Sequence, residues 1–258
     1  MGQSVLDFYD ELSKDYHLIF MDWDNSVKWH AQIINKVIQN HTDKSIKEIA
    51  LFDCSCGIGT QAIGLALLGY NVHATDLSPK AIERAQREAI RLHAAMTFGT
   101  ADFRTLNKQV NGLFDVVITC DNSLPHLIEE DDLVLTIQNI SDKLKSGGLF
   151  LASIRDYDQL IIERPKLMSS NVFDSEEERR IVFQIWDWKD HRDIYTLNQF
   201  IVRGKEDNWK TGKMSTLYRA ITKQELKDVL EKTGFTEVKW HLPEETGYYQ
   251  PIITAIKP

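Results

Sequence analysis

The sequence predicts an α/β protein built on a doubly wound, Rossmann-like sheet. Two N-terminal helices precede it, an antiparallel β insertion follows its fifth strand, and an antiparallel strand pair closes the chain. Three observations carry this. Short apolar runs alternate with helical periods from about residue 49 to 154, and a glycine turn, Gly57-Ile58-Gly59, separates the first strand from the first helix of that alternation. Then four strand-like runs follow one another between 172 and 218 with only polar turns between them.

Val5, Phe8 and Leu12, and then Ile33, Ile34, Val37 and Ile38, recur at spacings of three and four, which predicts amphipathic helices over 4–20 and 26–40. Ile49, Leu51 and Phe52 mark a buried strand over 49–54; Thr60 to Leu68 reads as the following helix, and Gly69 stops it. The alternation continues with strand 72–75, a helix from Pro79 to Leu92, strand 96–98, strand 114–119, helix 131–144, a turn at Gly147-Gly148 and strand 149–154. Helices of this length between strands require right-handed crossovers and a parallel sheet covered on both faces. Runs at 172–173, 181–188, 194–202 and 214–218 form the insertion. Thr222 and Glu225 stand at capping-box spacing ahead of a helix to Lys232, Gly234 ends it, and strands at 235–240 and 249–256 complete the sheet. The chain is expected to be one domain: a helical segment over 1–45, a ligand-binding core over 46–155, the insertion over 156–220, and a closing helix and strands over 221–258.

The 258 residues are 43% hydrophobic and 26% charged, an ordinary globular balance. A formal charge of −8 opposes a phosphate backbone as partner, so nucleic acid is not expected. No apolar run approaches the length of a membrane span, and Asp7, Asp10, Glu11 and Asp15 occupy the region where a targeting signal would be basic. No membrane partner and a cytoplasmic location are expected. Cys54, Cys56 and Cys120 are too few and wrongly spaced for a disulfide framework or a zinc site, so no metal is expected.

Gly57-x-Gly59-x-x-Ala62 between a strand and a helix lets a ligand approach the backbone closely. Asp76, at the end of the next strand, stands where a carboxylate accepts hydrogen bonds from ribose hydroxyls. Both features suit an NAD-dependent oxidoreductase as well. Asp53 discriminates, because an anion ahead of the glycine turn repels a pyrophosphate and attracts an ammonium. S-adenosyl-L-methionine, with its α-ammonium and sulfonium and no phosphate, fits both carboxylates.

Phe114-Asp-Val-Val-Ile-Thr-Cys-Asp-Asn-Ser-Leu-Pro-His-Leu127 and Gly147-Gly-Leu-Phe-Leu-Ala-Ser-Ile-Arg-Asp-Tyr-Asp-Gln-Leu160 add two more segments in register. Together with the glycine turn they resemble class I S-adenosylmethionine-dependent methyltransferases, in particular the glycine/sarcosine N-methyltransferase branch. The resemblance implies that Asp53, Ser55, Gly57 and Gly59 surround the methionine part of the cofactor, that Asp76 with Leu77 holds the ribose, and that Asp102 and Phe103 border the adenine. Cys120 and His126 match cofactor contacts. The aromatic N-terminal stretch matches the family's lid, with Tyr9, Tyr16 and Trp23 as candidates and Tyr16 preferred. Asn122 and Arg155 match the residues around the acceptor's carboxylate, for which a guanidinium is a natural bidentate partner. Tyr157, Tyr218, Arg219, Tyr248 and Tyr249 are further candidates for the pocket roof.

Two departures stand out. Lys28 and Trp29 occupy the neighbourhood of a basic lid residue without matching it, and Asp121 replaces the small residue that the family places beside its Asn. The resemblance therefore implies methyl transfer to a small molecule, a glycine-like amine first. An O-methyltransferase and a non-catalytic cofactor-binding module remain open.

Overall fold

β1 (Ala50–Asp53) lies inside a seven-stranded sheet and is paired in parallel with β2 (Asn71–Asp76) on one side and β4 (Phe114–Thr119) on the other. The structure, a computed structural model, describes residues 4–190 and 193–258, so the first three residues of the expected 1–45 segment lie outside it. β3 (Thr97–Thr100) extends the sheet beyond β2, and β5 (Leu144–Ser153) runs parallel to β4. β10 (Thr236–His241) and β11 (Ile252–Ile256) are the closing antiparallel pair, giving the order β10-β11-β5-β4-β1-β2-β3.

Period two in these strands divides the core between two faces. Phe52, Val117 and Phe150 pack into one cluster, while their neighbours Leu51, Val116 and Leu151 pack into another. Helices cover the faces: α3 (Thr60–Leu68), α4 (Pro79–Arg91), α5 (Leu106–Gln109), α6 (Glu130–Lys143) and α8 (Lys223–Lys232). Caps set their starts, with Ser78 accepting from the Ala81 amide ahead of Pro79 and Thr222 from Glu225. No described helix is long and apolar enough to cross a membrane.

The N-terminal segment differs from its expected form. α1 (Val5–Leu12) is short, a 3-10 turn follows at Tyr16–Ile19, and α2 (Trp23–Gln39) starts earlier than the apolar period indicates. Asp22 explains the early start, since its carboxylate caps the Asn25 amide at 3.0 Å. α2 crosses α3 at Gly64, where a Cβ would stand 2.3 Å from the Val27 carbonyl oxygen. Gly147 and Gly148 lie within β5, where the register shifts and Gly147 takes φ 74°, a bulge where the sequence predicts a simple turn.

The insertion is a separate antiparallel sheet, β6 (Leu167–Asp174), β7 (Arg179–Trp188), β8 (Ile194–Lys205) and β9 (Asn208–Arg219), in sequential order. It is entered through α7 (Tyr157–Glu163). Trp186, Tyr195 and Tyr218 join the same hydrophobic cluster as the main sheet, so the insertion roofs the carboxyl ends of the strands. α9 (Pro243–Thr246) precedes β11, which begins at Ile252, after Pro251; Tyr248 to Gln250 are left as a loop over the same region.

Candidate active site

The glycine turn after β1 is held to Asp76 at the tip of β2. The Gly57 amide donates to one Asp76 carboxylate oxygen at 2.8 Å and the Ser78 amide to the other at 2.9 Å. Gly57 has φ 54°, and a Cβ there would stand 3.2 Å from the Tyr16 ring, so the lid tyrosine lies directly on the turn. Asp53 ends β1 at 1% exposure and accepts the Ser55 amide at 3.1 Å. Burial pushes its carboxyl up to about 8, opposed by the Ser55 N–H and assisted by Asp76 and Asp121.

Two cavities meet above the strand ends. The narrow one, about 110 Å³, is bordered by every cofactor candidate except Trp23, Asp53 and Gly59. Asp76 and Leu77 are at one side, Asp102 and Phe103 at another, and Ser55, Gly57 and Cys120 along the strand tips. Asp102 pairs with Arg104 at 2.6 Å; burial would raise its carboxyl, but Arg104 outweighs burial and holds it low. Burial pushes His126 down to about 3, with Arg155 adding repulsion and the Leu217 backbone opposing. It is therefore a neutral ring, and its Nε2 meets the Tyr9 hydroxyl at 2.9 Å.

Three candidates lie elsewhere. Trp23 turns beneath α3, packs with Val27, Ile58 and Ile63, and donates from its indole to Thr60 at 3.0 Å, so it is not part of the lid surface. Helical periodicity does not say which side of α2 faces the ligand. Gly59 caps α3 in a left-handed conformation at φ 93° and faces Ile63. Asp53 lies below the turn and borders neither cavity.

The larger cavity, about 850 Å³, is bordered by Arg155 and Tyr218. The Arg155 guanidinium lies 5.0 Å from the Trp186 ring centre and 5.5 Å from that of Tyr218, and donates to the Tyr195 hydroxyl at 3.2 Å and the Gln184 side-chain oxygen at 3.3 Å. Its partners are neutral: among the described residues no carboxylate pairs with it, and the adjacent Asp156 and Asp158 go to Lys223 at 2.8 and 3.2 Å. Asn122 and Tyr157 are buried behind it and border neither cavity. Arg219 pairs with Glu225, away from the pocket roles considered for it.

Sequence reasoning named Tyr9, Tyr16, Tyr248, Tyr249 and Asp121 singly but missed Gln61 and His30 and the convergence of all of them at the junction. Tyr9, Tyr16 and Asp121 border both cavities. Asp121 accepts from Gln61, Tyr248 and Tyr249, each at 2.6 Å, and His30 joins through Gln61 at 2.9 Å. Asp121 and Asn122 both have left-handed backbones, φ 56° and 69°, a conformation that Asp and Asn adopt more readily than other non-glycine residues. The one available signal was that Asp121 breaks the pattern of the resemblance.

Residues 51–148 match a family model described as a methyltransferase domain. The glycine/sarcosine N-methyltransferase of Parasynechococcus marenigrum (strain WH8102) is 30% identical over 159 residues, 59% of this chain and 55% of that protein. The chain spans between half and three-fifths of the length of the first curated relatives it matches, all glycine/sarcosine N-methyltransferases. Among solved structures, the sugar N-methyltransferase KedS8 from Streptoalloteichus sp. ATCC 53650 superposes with a TM-score of 0.74 at 14% identity, covering 100% of this chain and 95% of that one. An S-adenosylmethionine-dependent methyltransferase from Clostridium acetobutylicum ATCC 824 superposes at 0.69 and 20% identity, covering 88% and 89%. Both share the fold.

Proposed function

We propose, taking residues 51–148 as the methyltransferase domain they match, that this protein transfers a methyl group from S-adenosyl-L-methionine to the amine of a small, glycine-like amino acid. The observation that carries the acceptor class is Arg155: a guanidinium that borders the larger cavity with only neutral partners is a site for an acceptor's carboxylate. The names of the relatives support an amino acid as acceptor.

The residues of the narrow cavity fit the cofactor. Asp76 uses one lone pair of each oxygen on the Gly57 and Ser78 amides and keeps the others for ribose hydroxyls. The absence of a side chain on Gly57 lets the Tyr16 ring pack onto the turn at the edge of the narrow cavity, and Asp53, buried below the turn and raised to about 8 in the free protein, would become a countercharge on giving up its proton to a bound ammonium. When bound, S-adenosylmethionine supplies a methyl group on a sulfonium, an electrophile that needs no metal or enzyme nucleophile.

The protein's contribution is orientation. Arg155, backed by Asn122 and Tyr157, would hold the acceptor by its carboxylate. Tyr218 borders the larger cavity with Tyr195 and Trp186 stacked behind it, and Tyr9 and Tyr16 border the junction from the N-terminal side. Neutral His126 anchors Tyr9 without placing a positive charge beside the sulfonium.

The test is calorimetric titration with S-adenosylhomocysteine and with NADH, followed by a mass-detected methylation screen of glycine, sarcosine, larger amino acids, phenols and carboxylic acids. Binding of S-adenosylhomocysteine with methylation of an amino acid is the expected result. Binding of NADH alone, or methylation confined to phenols or carboxylic acids, would overturn the reading.

A further inference from the structure

Asp121 occupies a place that the proposed chemistry has not yet used. It is the only carboxylate bordering both cavities among the described residues, at the junction where a methyl group must pass from donor to acceptor. Donors reach it from two separate parts of the fold: Gln61 on α3, and Tyr248 and Tyr249 in the loop before β11. One of its oxygens takes both tyrosine hydroxyls and the other takes only Gln61. Every hydrogen bond to the group is thus from a donor, and the second oxygen retains a lone pair.

The donors are themselves held. Burial, followed by Asp121, keeps the Tyr248 and Tyr249 phenols protonated well above the usual range, so both hydroxyls go on donating. The Gln61 amide nitrogen lies 2.6 Å from Asp121, 2.9 Å from His30 Nδ1 and 3.2 Å from the Tyr248 hydroxyl, so it is held within the same cluster. A carboxylate is thereby fixed in direction on a left-handed backbone, with aromatic side chains (Tyr16, Trp29 and Tyr249) lining the cavity on its side.

We propose that Asp121 is the residue that selects nitrogen over oxygen in the acceptor: its remaining lone pair accepts an N–H of the acceptor amine, and its charge disfavours a phenolate or carboxylate at the same point. This rests on the reading of the protein as a methyltransferase and deepens it. An amine carries both the lone pair that attacks and N–H donors that point elsewhere, whereas an oxyanion has no donor for Asp121 and meets repulsion. As the nitrogen lone pair forms the new N–C bond, the C–S bonding pair passes to sulfur. The nitrogen then gains positive charge beside Asp121, which favours that charge where it develops. The methylated ammonium loses its proton to solvent afterwards.

The experiment compares the full chain with Asp121→Asn, which keeps the shape and tolerates the left-handed backbone, and with Asp121→Gly, which accepts that backbone without strain. Thermal melting identifies which variant is folded, and either one suffices. S-adenosylhomocysteine affinity is measured by calorimetry, and kcat/KM is measured for amine, phenol and carboxylate acceptors. The expected result is unchanged S-adenosylhomocysteine affinity within about threefold, amine kcat/KM lowered about ten- to hundredfold, the size of a lost charged hydrogen bond, and a raised ratio of oxygen to nitrogen methylation. Unaltered amine turnover and selectivity would overturn the proposal. Loss of S-adenosylhomocysteine affinity in proportion to turnover would also overturn it, since Asp121 would then be holding the cofactor. If the wild-type chain binds S-adenosylhomocysteine but methylates only oxygen, the amine reading and Asp121's role fall together. If it binds neither S-adenosylhomocysteine nor S-adenosylmethionine, the methyltransferase reading has failed.

Discussion

Asn122 holds Arg155 from two sides: its Oδ1 accepts the Arg155 backbone N–H at 3.0 Å, and its Nδ2 donates to the Tyr157 hydroxyl at 2.9 Å. That hydroxyl meets Tyr195 at 2.9 Å, and Tyr195 accepts from the Arg155 guanidinium at 3.2 Å. The ring of contacts joins the loop after β4, the end of β5 and the insertion. Replacing Asn122 with Ala removes both ends of the tie and puts a residue with no local hydrogen bond into a left-handed backbone. The expected loss is about 1–3 kcal/mol of stability, with a raised acceptor KM and unchanged S-adenosylhomocysteine affinity. Chemical denaturation and steady-state kinetics check the two separately.

Arg155→Lys keeps the charge and loses the fork. The lysine ammonium has no planar face for Trp186 and Tyr218 and cannot take a carboxylate in two parallel bonds. Acceptor kcat/KM is expected to fall by about tenfold or more, while the stabilisation of the protein by S-adenosylhomocysteine in a melting assay is retained. Equal loss of both would place Arg155 with the cofactor instead.

Trp23 and Tyr16 lie in the same aromatic stretch but differ in their surroundings. Trp23→Phe removes the indole bond to Thr60 and is expected to cost about 1 kcal/mol of stability, with S-adenosylhomocysteine affinity within about twofold of the original. Tyr16→Ala uncovers the glycine turn and is expected to weaken that affinity several-fold. Calorimetry on the two variants decides between them; a Trp23 variant that loses cofactor would return Trp23 to the lid.

These contrasts show what the sequence could convey. Apolar runs and helical spacing are local, so β1 to β5, the helices α3, α4 and α6 and the strands of the insertion were legible, whereas the short helices α5 and α7 and the first half of β6 were not. The Asp121 cluster was not, because Gln61, Tyr248 and Tyr249 are drawn from segments far apart in the chain, and no spacing rule connects them to residue 121. The face of α2 that carries Trp23 was equally hidden: an apolar stripe says that a side chain is buried but not against what. Gly64, set between two α2 residues and lacking any motif, falls in the same class. Gly64→Ala is expected to destabilise by about 1–3 kcal/mol through the clash with the Val27 carbonyl, measurable by urea denaturation.

Asp53 is expected to link cofactor binding to protons. In the free protein its carboxyl is raised from 3.8 to about 8, so the folded state keeps a proton that the unfolded chain releases above about pH 4. With more protons bound in the folded state, stability from this group is full below pH 4. It declines as pH rises towards 8 and is level above that. Asp76, also raised by burial, adds a slope of the same sign. Asp53→Asn is expected to flatten the decline between pH 4 and 8 in thermal melts of the free protein. An ammonium placed against Asp53 favours the carboxylate, so binding of S-adenosylhomocysteine at pH 7 is expected to release up to about one proton. Calorimetry in two buffers of different ionisation enthalpy measures that release, and the Asn variant should abolish it. An undiminished release in Asp53→Asn would mean that the ammonium meets another group, with Asp76 the first to examine.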